Sequence, residues 1–189
     1  MKKTGLIAII LIVVIGLAVA YGISTYNSMV TAQTTVEQKA SDIDTQLQRR
    51  ADLIPNLVSS VKGYAAHEEA VFTAVTQARE QLMNADSMAE KSAANNTLTT
   101  ALGRLLAVAE AYPELKADKV FNSLIDELSG TENRISYARE EYNAAVSAFN
   151  QMIRRFPASI IANFAGFKAA EFFAADSTAT AVPTVSFEG

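Results

Sequence analysis

Hydrophobic and polar positions divide the chain into an apolar beginning, a long periodic middle and a short aromatic segment. The first charged residues are Lys2 and Lys3 and the next is Glu37, so the run between them is uncharged. Within it, residues 5–23 are mainly apolar. A helix rises roughly 1.5 Å per residue, so this stretch is just long enough to cross a hydrocarbon layer of about 30 Å. The pattern predicts a single-pass transmembrane anchor over residues 1–23.

A cleaved signal peptide is the alternative for this segment, because Ala18-Val19-Ala20 fits the small-x-small cleavage pattern. The retained anchor is the favoured interpretation. Lys2 and Lys3 precede the span, and only Lys39 follows it closely. Positive charge near a span stays on the cytoplasmic side. We therefore expect a bacterial inner-membrane protein with a cytoplasmic N-terminus and an extracytoplasmic body.

Beyond the span, apolar residues recur at alternating spacings of three and four, which is typical of helices that bury one face. We place the first boundary at Ala51 and Asp52. There Asp52 is a candidate N-cap, and Pro55 falls in the first turn of the next helix, where its missing N–H is harmless. The pattern then predicts four helices, over residues 24–50, 53–84, 87–112 and 114–155.

The last predicted helix contains Gly130, but its apolar register continues across that residue without a shift. We therefore predict one continuous helix, with a break at Ser129–Gly130 as the alternative. Four helices of this length, each with one apolar face, can bury those faces against one another. The expected fold is all-α: a transmembrane helix followed by an antiparallel four-helix bundle with long helices over residues 24–156.

A short helical segment over residues 157–175 is far more aromatic than the bundle. Its amphipathic face can lie in the membrane interface, with Arg154, Arg155 and Lys168 at the headgroups, or pack on a neighbouring subunit. Alternatively, it closes the core of the bundle. The tail, 176–189, is predicted to be extended or disordered, although residues 182–187 alternate and can dock along a groove. The apolar residues of the segment are Ile160, Ile161, Phe164, Phe167, Phe172 and Phe173.

Composition removes several classes of function. The chain has no Cys and one His, which excludes disulfides, Cys nucleophiles and zinc sites with two His ligands. The formal net charge is -4, without a long basic cluster, so nothing indicates a nucleic-acid partner. No catalytic constellation is recognisable. We therefore predict a protein that is not an enzyme and has no metal and no cofactor.

A narrow polar face on the second predicted helix is the first candidate interaction site. It consists of Asn56, Ser60, Gly63 and His67. Our main interpretation is a close approach of two helices over Ser60 and Gly63, with Asn56 and His67 in interhelical hydrogen bonds. A small-ligand or signalling site is the alternative.

A repeated Tyr-Asn pair is the second candidate. Tyr26-Asn27 follows the span, and Tyr142-Asn143 lies in the last predicted helix. In an up-down-up-down bundle the last helix returns toward the membrane. We therefore expect the two pairs to be neighbours, with Asn27 and Asn143 in polar contacts at the base of the bundle.

The region where the first and second predicted helices meet carries a long motif. It reads Arg49-Arg50-x-Asp52-Leu53-Ile54-Pro55-Asn56-Leu57-Val58, then Val61-Lys62-Gly63-Tyr64-Ala65-x-His67-Glu68. The motif resembles the signature of the bacterial LemA family. Three further pieces agree in order: Tyr26-Asn27-x-x-Val30, Tyr142-Asn143-x-x-Val146 with Phe149-Asn150, and Phe156-Pro157 leading to Gly166-Phe167-Lys168 and Phe172-Phe173. The resemblance implies a single-pass membrane protein with a helical-bundle domain and no established catalytic activity.

Two functional hypotheses remain. The first is a membrane-anchored structural or interaction scaffold that self-associates at the membrane surface. Its partners would be the lipid bilayer, further copies of the chain and possible other membrane proteins. The second is an extracytoplasmic sensor or ligand-binding bundle that signals through its anchor, although residues 1–4 leave little on the cytoplasmic side to receive a signal.

Overall fold

The computed structural model describes residues 2–174, with side chains from Gly5 onward. This part of the chain is all-helical and holds no strand, which confirms the prediction of an all-α protein. The predicted tail, including the docking segment 182–187, lies outside the described residues. The helices are α1 (Lys2–Lys62), α2 (Glu69–Met83), α3 (Met88–Glu110), α4 (Pro113–Ala117), α5 (Lys119–Arg154) and α6 (Ala158–Ala165).

Two compact units make up the described chain. The first unit contains residues 2–39 and 143–170, and the second contains residues 40–142 and 171–174. Helices α1 and α5 contribute residues to both units. Each unit is described separately below.

Helix α1 corrects the first predicted boundary. We expected a turn at Ala51 and Asp52, but α1 is continuous to Lys62, and the chain turns only between α1 and α2. The buried stripe keeps its spacing of three and four straight through the expected turn. Its members are Met29, Val36, Ile43, Leu47, Ala51, Ile54, Leu57, Val58 and Val61.

Pro55 lies inside α1, where a proline removes one helical hydrogen bond. The acceptor left without a partner is the carbonyl of Ala51, four residues earlier. In the second unit, Arg79 of α2 donates from Nε to this oxygen at 2.8 Å. A side chain from another helix thus replaces the missing N–H, which explains why α1 tolerates the proline.

Helix α3 begins as the sequence predicts. Ser87 is the N-cap, its side chain accepts a hydrogen bond from the Glu90 N–H, and the Glu90 carboxylate accepts one from the Ser87 N–H. This reciprocal arrangement is a capping box. Hydrogen bonds from the backbone N–H groups of Ser87 and Asp86 lower the pKa of the Glu90 carboxyl.

Helix α5 runs through Gly130 without interruption, so the predicted continuity is confirmed and the alternative break is wrong. Its beginning differs from the prediction of 114. The residues from Pro113 form the separate short helix α4, and α5 starts after Asp118. The Asp118 carboxylate accepts hydrogen bonds from the N–H groups of Val120 and Phe121 at 2.8 and 2.9 Å, which caps the new helix.

Contacts within the second unit set the directions of its helices. Helix α2 runs antiparallel to α1, α3 runs parallel to α1, and α5 runs antiparallel to α1. The contacts that show this are Lys62–Phe72 and Ala51–Arg79 for α2, Asp44–Lys91 and Arg50–Asn95 for α3, and Arg49–Glu127 and Tyr64–Asp118 for α5.

Candidate functional site

The apolar beginning of α1 has no covering partner in the described chain. Every large apolar side chain from Leu6 to Ile23 is at least 48% exposed. Leaving this much apolar surface in water is unfavourable by roughly 25 cal/mol per Å². Among the described residues, α1 is the one helix that is long and apolar enough to cross a membrane. These properties are consistent with a membrane anchor.

Helix α6 lies in the first unit and is bounded by two turn-forming residues. Pro157 occupies its N-cap position, and Gly166 follows its end with a left-handed φ of 80°. The N–H of Phe167 donates back to the carbonyl of Ala162 at 3.0 Å. Glycine adopts this conformation without a steric penalty, so the chain reverses sharply after Ala165.

The side chains of α6 are distributed against the usual rule. Its buried positions are the small residues Ala158 and Ala162. Two of its three large apolar residues point outward, because Ile160 is 61% exposed and Phe164 is 96% exposed, whereas Ile161 is half-buried. Phe156, just before the helix, is also exposed. The apolar surface formed by Phe156, Ile160 and Phe164 is called the α6 face below.

Phe167 has the opposite environment from Phe164. Its ring centroid lies 5.8 Å from that of Tyr26 on α1 and 6.2 Å from that of Phe149 on α5. Aromatic pairs at these separations attract each other beyond their burial. Phe167 therefore joins three parts of the first unit, and the predicted aromatic segment divides into inward and outward residues.

Asn150 fixes the chain after α6. Its side chain, which is buried, donates from Nδ2 to the Ala170 carbonyl at 2.9 Å and accepts at Oδ1 from the Ala170 N–H at 2.8 Å. Both hydrogen-bonding groups of one backbone residue are thus satisfied by one amide. Sequence reasoning noted Asn150 in the family motif and did not assign it this role.

Beyond Ala165 the predicted helical segment 157–175 is no longer helical, as far as the structure describes it. In the second unit, Phe173 is buried, whereas Phe172 is half exposed. The Tyr142 hydroxyl donates to the Glu171 carbonyl at 2.8 Å. Burial raises the pKa of Tyr142, and the Glu171 carboxylate raises it further. Residues 171–174 therefore contribute to the core of this unit.

Arg50 is a buried cation in the second unit, and sequence reasoning did not identify it. Its side chain is 4% exposed. Nη1 donates to Asn95 at 2.6 Å and pairs with Glu132 at 2.5 Å, while Nη2 donates to Thr99 at 3.0 Å. Burial lowers the pKa of Arg50, and the negative charge of Glu132 opposes that shift. One guanidinium thus connects α1 with α3 and α5.

The predicted polar face is not a helix-packing surface. Asn56 and Gly63 are exposed, Ser60 is half-buried, and Gly63 and His67 lie in the turn after α1 rather than on a helix. A Cβ added at Gly63 would meet only the Ser60 carbonyl, at 3.5 Å, so no neighbouring helix approaches there. The expected close approach over these residues is therefore wrong, because the helix boundary was misplaced. A ligand site on them stays a prediction.

The tyrosines of the two Tyr-Asn pairs have different partners. Tyr26 packs against Phe167, and Tyr142 donates to the Glu171 carbonyl. Asn27 is exposed and Asn143 is half-buried. The expected neighbourhood of Asn27 and Asn143 stays a prediction.

Residues able to hold a metal ion do not cluster in the part of the chain that the structure describes. What the described residues do offer is an exposed apolar span, an exposed apolar helix face and a buried arginine whose ion-pair partner, Glu132, is half exposed. The first two are surfaces that favour lipid or protein contacts, and the third stabilises packing.

Several known proteins are similar in sequence to this chain. Magnetosome protein MamQ 2 of Paramagnetospirillum magneticum is 31% identical over 174 residues, covering 78% of this chain and 64% of that protein. Magnetosome protein MamQ of Magnetospirillum gryphiswaldense is 30% identical with the same coverage. Protein LemA of Metamycoplasma hominis is 26% identical over 85% of this chain and 76% of that protein.

This chain therefore spans a little under two thirds of the magnetosome relatives. None of these three relatives bears the name of an enzyme. The model of the LemA family matches residues 39–187, which is most of the sequence. The chain belongs to the LemA family, as its Arg49–Glu68 motif indicates.

Proposed function

We propose that this protein is a non-enzymatic scaffold, anchored in the bacterial inner membrane by one transmembrane helix, that self-associates at the membrane surface. Residues 5–23 are the retained span. Lys2 and Lys3 favour a cytoplasmic N-terminus, which leaves the body on the extracytoplasmic side. The body is proposed to be an antiparallel four-helix bundle built from α1 beyond residue 39, α2, α3 and α5.

The continuity of α1 carries this proposal. The helix that would cross the membrane continues without a break to Lys62 and contributes a buried stripe to the core. An anchor joined by a flexible linker would leave the body free to rotate. Here no loop separates the span from the part of α1 that contributes to the core of the body, and such a direct connection suits a scaffold.

One face of α1 supports pairing between copies. Gly16, Ala20, Ser24 and Ser28 are four residues apart, small and exposed. A Cβ added at Gly16 would meet nothing within 4 Å. Small residues at this spacing allow two membrane helices to approach closely. We call this set the small-residue row.

The chain's own packing favours the small-residue row over the other side of α1. Ala18 and Gly22 form a second small pair, but the next position of that pair's row is Tyr26. Tyr26 packs against Phe167 of the same chain. Residues two apart lie on roughly opposite sides of a helix. The small-residue row is therefore the side that is free to meet another copy.

Disulfide formation tests the proposal directly, because the chain has no Cys. We expect Ser24→Cys and Ser28→Cys, each in the full chain in native membranes, to crosslink two copies under mild oxidation. Val30→Cys is the matched control, since Val30 is exposed at the same level but on the other side of α1. Equal crosslinking at all three positions would indicate random collisions, and none at 24 or 28 would refute pairing through this row.

A further inference from the structure

We propose that the α6 face inserts into the headgroup region of the bilayer that α1 crosses, so that each copy holds its membrane at two places. The inference goes beyond the scaffold function and does not depend on self-association. It concerns what covers Phe156, Ile160 and Phe164, all of which are at least 61% exposed.

The arrangement of α6 indicates an apolar environment on its outer side. A surface helix in water buries its large apolar residues and exposes its small or polar ones. Helix α6 buries Ala158 and Ala162 and exposes Ile160 and Phe164 instead. The helix is also held by a left-handed glycine at its end, so the outward direction of Phe164 belongs to an ordered element.

The position of α6 places this face at the membrane boundary. Phe167, two residues after the end of α6, packs against Tyr26 at a centroid separation of 5.8 Å. Tyr26 comes only three residues after Ile23, where the apolar span ends. Tyrosine is itself enriched at the membrane–water boundary. Tyr26, Phe167 and α6 all lie within the first unit, so the end of α6 and the end of the span occupy the same level.

Charge around the α6 face fits a lipid surface. Between residues 143 and 170 the charged side chains are Arg154, Arg155 and Lys168, and this stretch has no Asp or Glu. All three cations are exposed. The whole chain nevertheless has a formal net charge of -4, so positive charge is concentrated beside the apolar face. An apolar face flanked by cations is typical of helices that bind anionic bilayers.

The small size of the α6 face favours lipid, rather than a second copy of the chain, as the surface that covers it. Helix α6 has eight residues and is therefore about 12 Å long. A stable protein interface buries roughly 800 Å² on each partner, which is more than three side chains on two turns supply. Membrane binding has no such requirement, because an already anchored protein needs only a few inserted side chains.

Fluorescence tests the proposal, because the chain contains no Trp. Phe164→Trp in the full chain, reconstituted in vesicles that contain phosphatidylglycerol, is expected to emit at short wavelength and to lose intensity when the lipids are brominated. Ile160→Trp gives a second, independent reporter on the same face. Tyr137→Trp is the matched control, since Tyr137 is 66% exposed on α5 in the second unit. We expect its emission at long wavelength, with little loss from brominated lipid.

Two results would overturn the proposal. Long-wavelength emission from positions 160 and 164, equal to that of the control, would mean that water covers the face. Short-wavelength emission without loss from brominated lipid would mean that protein, such as a second copy, covers it. Crosslinking at residues 24 and 28 is measured separately, so failure of self-association and failure of this insertion are distinguishable.

Discussion

The second unit encloses a guanidinium, and the first unit presents a phenyl ring to the outside. Arg50 is 4% exposed, whereas Phe164 is 96% exposed. Charged residues are rarely buried unless they are paired, and Arg50 is paired with Glu132 and hydrogen-bonded to Asn95. Phe164 has no comparable explanation within its own unit. The difference shows that the partners of a side chain decide its role: Arg50 stabilises packing, and Phe164 is suited to a surface that is not water.

The largest expected effect on stability is at the buried Arg50, and its exposed neighbour Arg49 is the matched control. Replacing Arg50 with Ala leaves the buried Asn95 without its hydrogen-bond donor and the half-exposed Glu132 without its cation, so we expect a loss of about 2–3 kcal/mol in the free energy of unfolding. Arg49 also forms an ion pair, with Glu127 at 2.6 Å, but both side chains are at least 41% exposed. Arg49→Ala is therefore expected to cost less than about 1 kcal/mol. Urea unfolding followed by circular dichroism measures the loss in the free energy of unfolding for each variant. Equal losses would contradict a structural role for Arg50.

The next effect concerns the proline inside α1. Arg79→Met removes the donor to the Ala51 carbonyl, and an unsatisfied carbonyl costs about 1–2 kcal/mol. In a Pro55→Ala background, the restored N–H at position 55 can bond this carbonyl within the helix. We therefore expect the cost of Arg79→Met to become smaller there. A cost that is the same in both backgrounds, measured by the same unfolding experiment, would refute the compensation.

A smaller effect is expected at the end of the described chain. Tyr142→Phe removes the hydrogen bond to Glu171 and should cost about 1 kcal/mol near neutral pH. Because the folded protein raises the pKa of Tyr142, the stability linked to this group is fully present below the unfolded pKa of about 10 and is lost as pH rises through the folded pKa. The wild type should therefore lose more stability above pH 10 than the variant does.

Tyr64 also has a raised pKa, because its hydroxyl donates to Asp118, so some alkaline dependence will remain in Tyr142→Phe. The informative quantity is the difference between wild type and variant from unfolding titrations across this pH range. Curves that stay parallel above pH 10 would contradict the burial of Tyr142.

The smallest expected effect on stability is at the α6 face. Phe164→Ser should change the free energy of unfolding by less than about 0.5 kcal/mol, since the ring contacts little of its own unit. Phe167→Ser is the matched control and should be clearly more destabilising, because that ring packs against Tyr26 and Phe149. Thermal unfolding in detergent compares the two. A large loss from Phe164→Ser would mean that the residue belongs to the core.

The helices show where sequence reasoning succeeded and where it failed. The continuous apolar register correctly predicted that α5 runs through Gly130. The same continuity runs through residues 47–61 of α1, but we gave Asp52 and Pro55 more weight than the register and predicted a boundary at Ala51 and Asp52. The compensating donor, Arg79, comes from another helix, and a local pattern cannot reveal it. The predicted start of the third helix, at Ser87, agrees with the structure, whereas the N-cap expected at Asp52 is wrong because α1 continues through that residue.

The candidate surfaces were predictable in kind but not in detail. The apolar span and the aromatic segment stand out in the sequence, because their composition differs from that of the body. Composition could not show that Phe164 points outward and Phe167 inward, since the directions of these side chains depend on the left-handed turn at Gly166 between them. Nor could it distinguish Arg50 from Arg49, because only the packed helices show which of two adjacent arginines is enclosed.

The central claim is that copies of this protein associate through α1 in the membrane. The most direct measurement counts copies per complex, by stepwise photobleaching of labelled full-length protein in native membrane vesicles. We predict more than one copy for the wild type, a single copy for Gly16→Leu/Ala20→Leu, and the wild-type number for the matched Ala18→Leu/Gly22→Leu. A single copy in the wild type, or the same number in both double variants, would contradict the account.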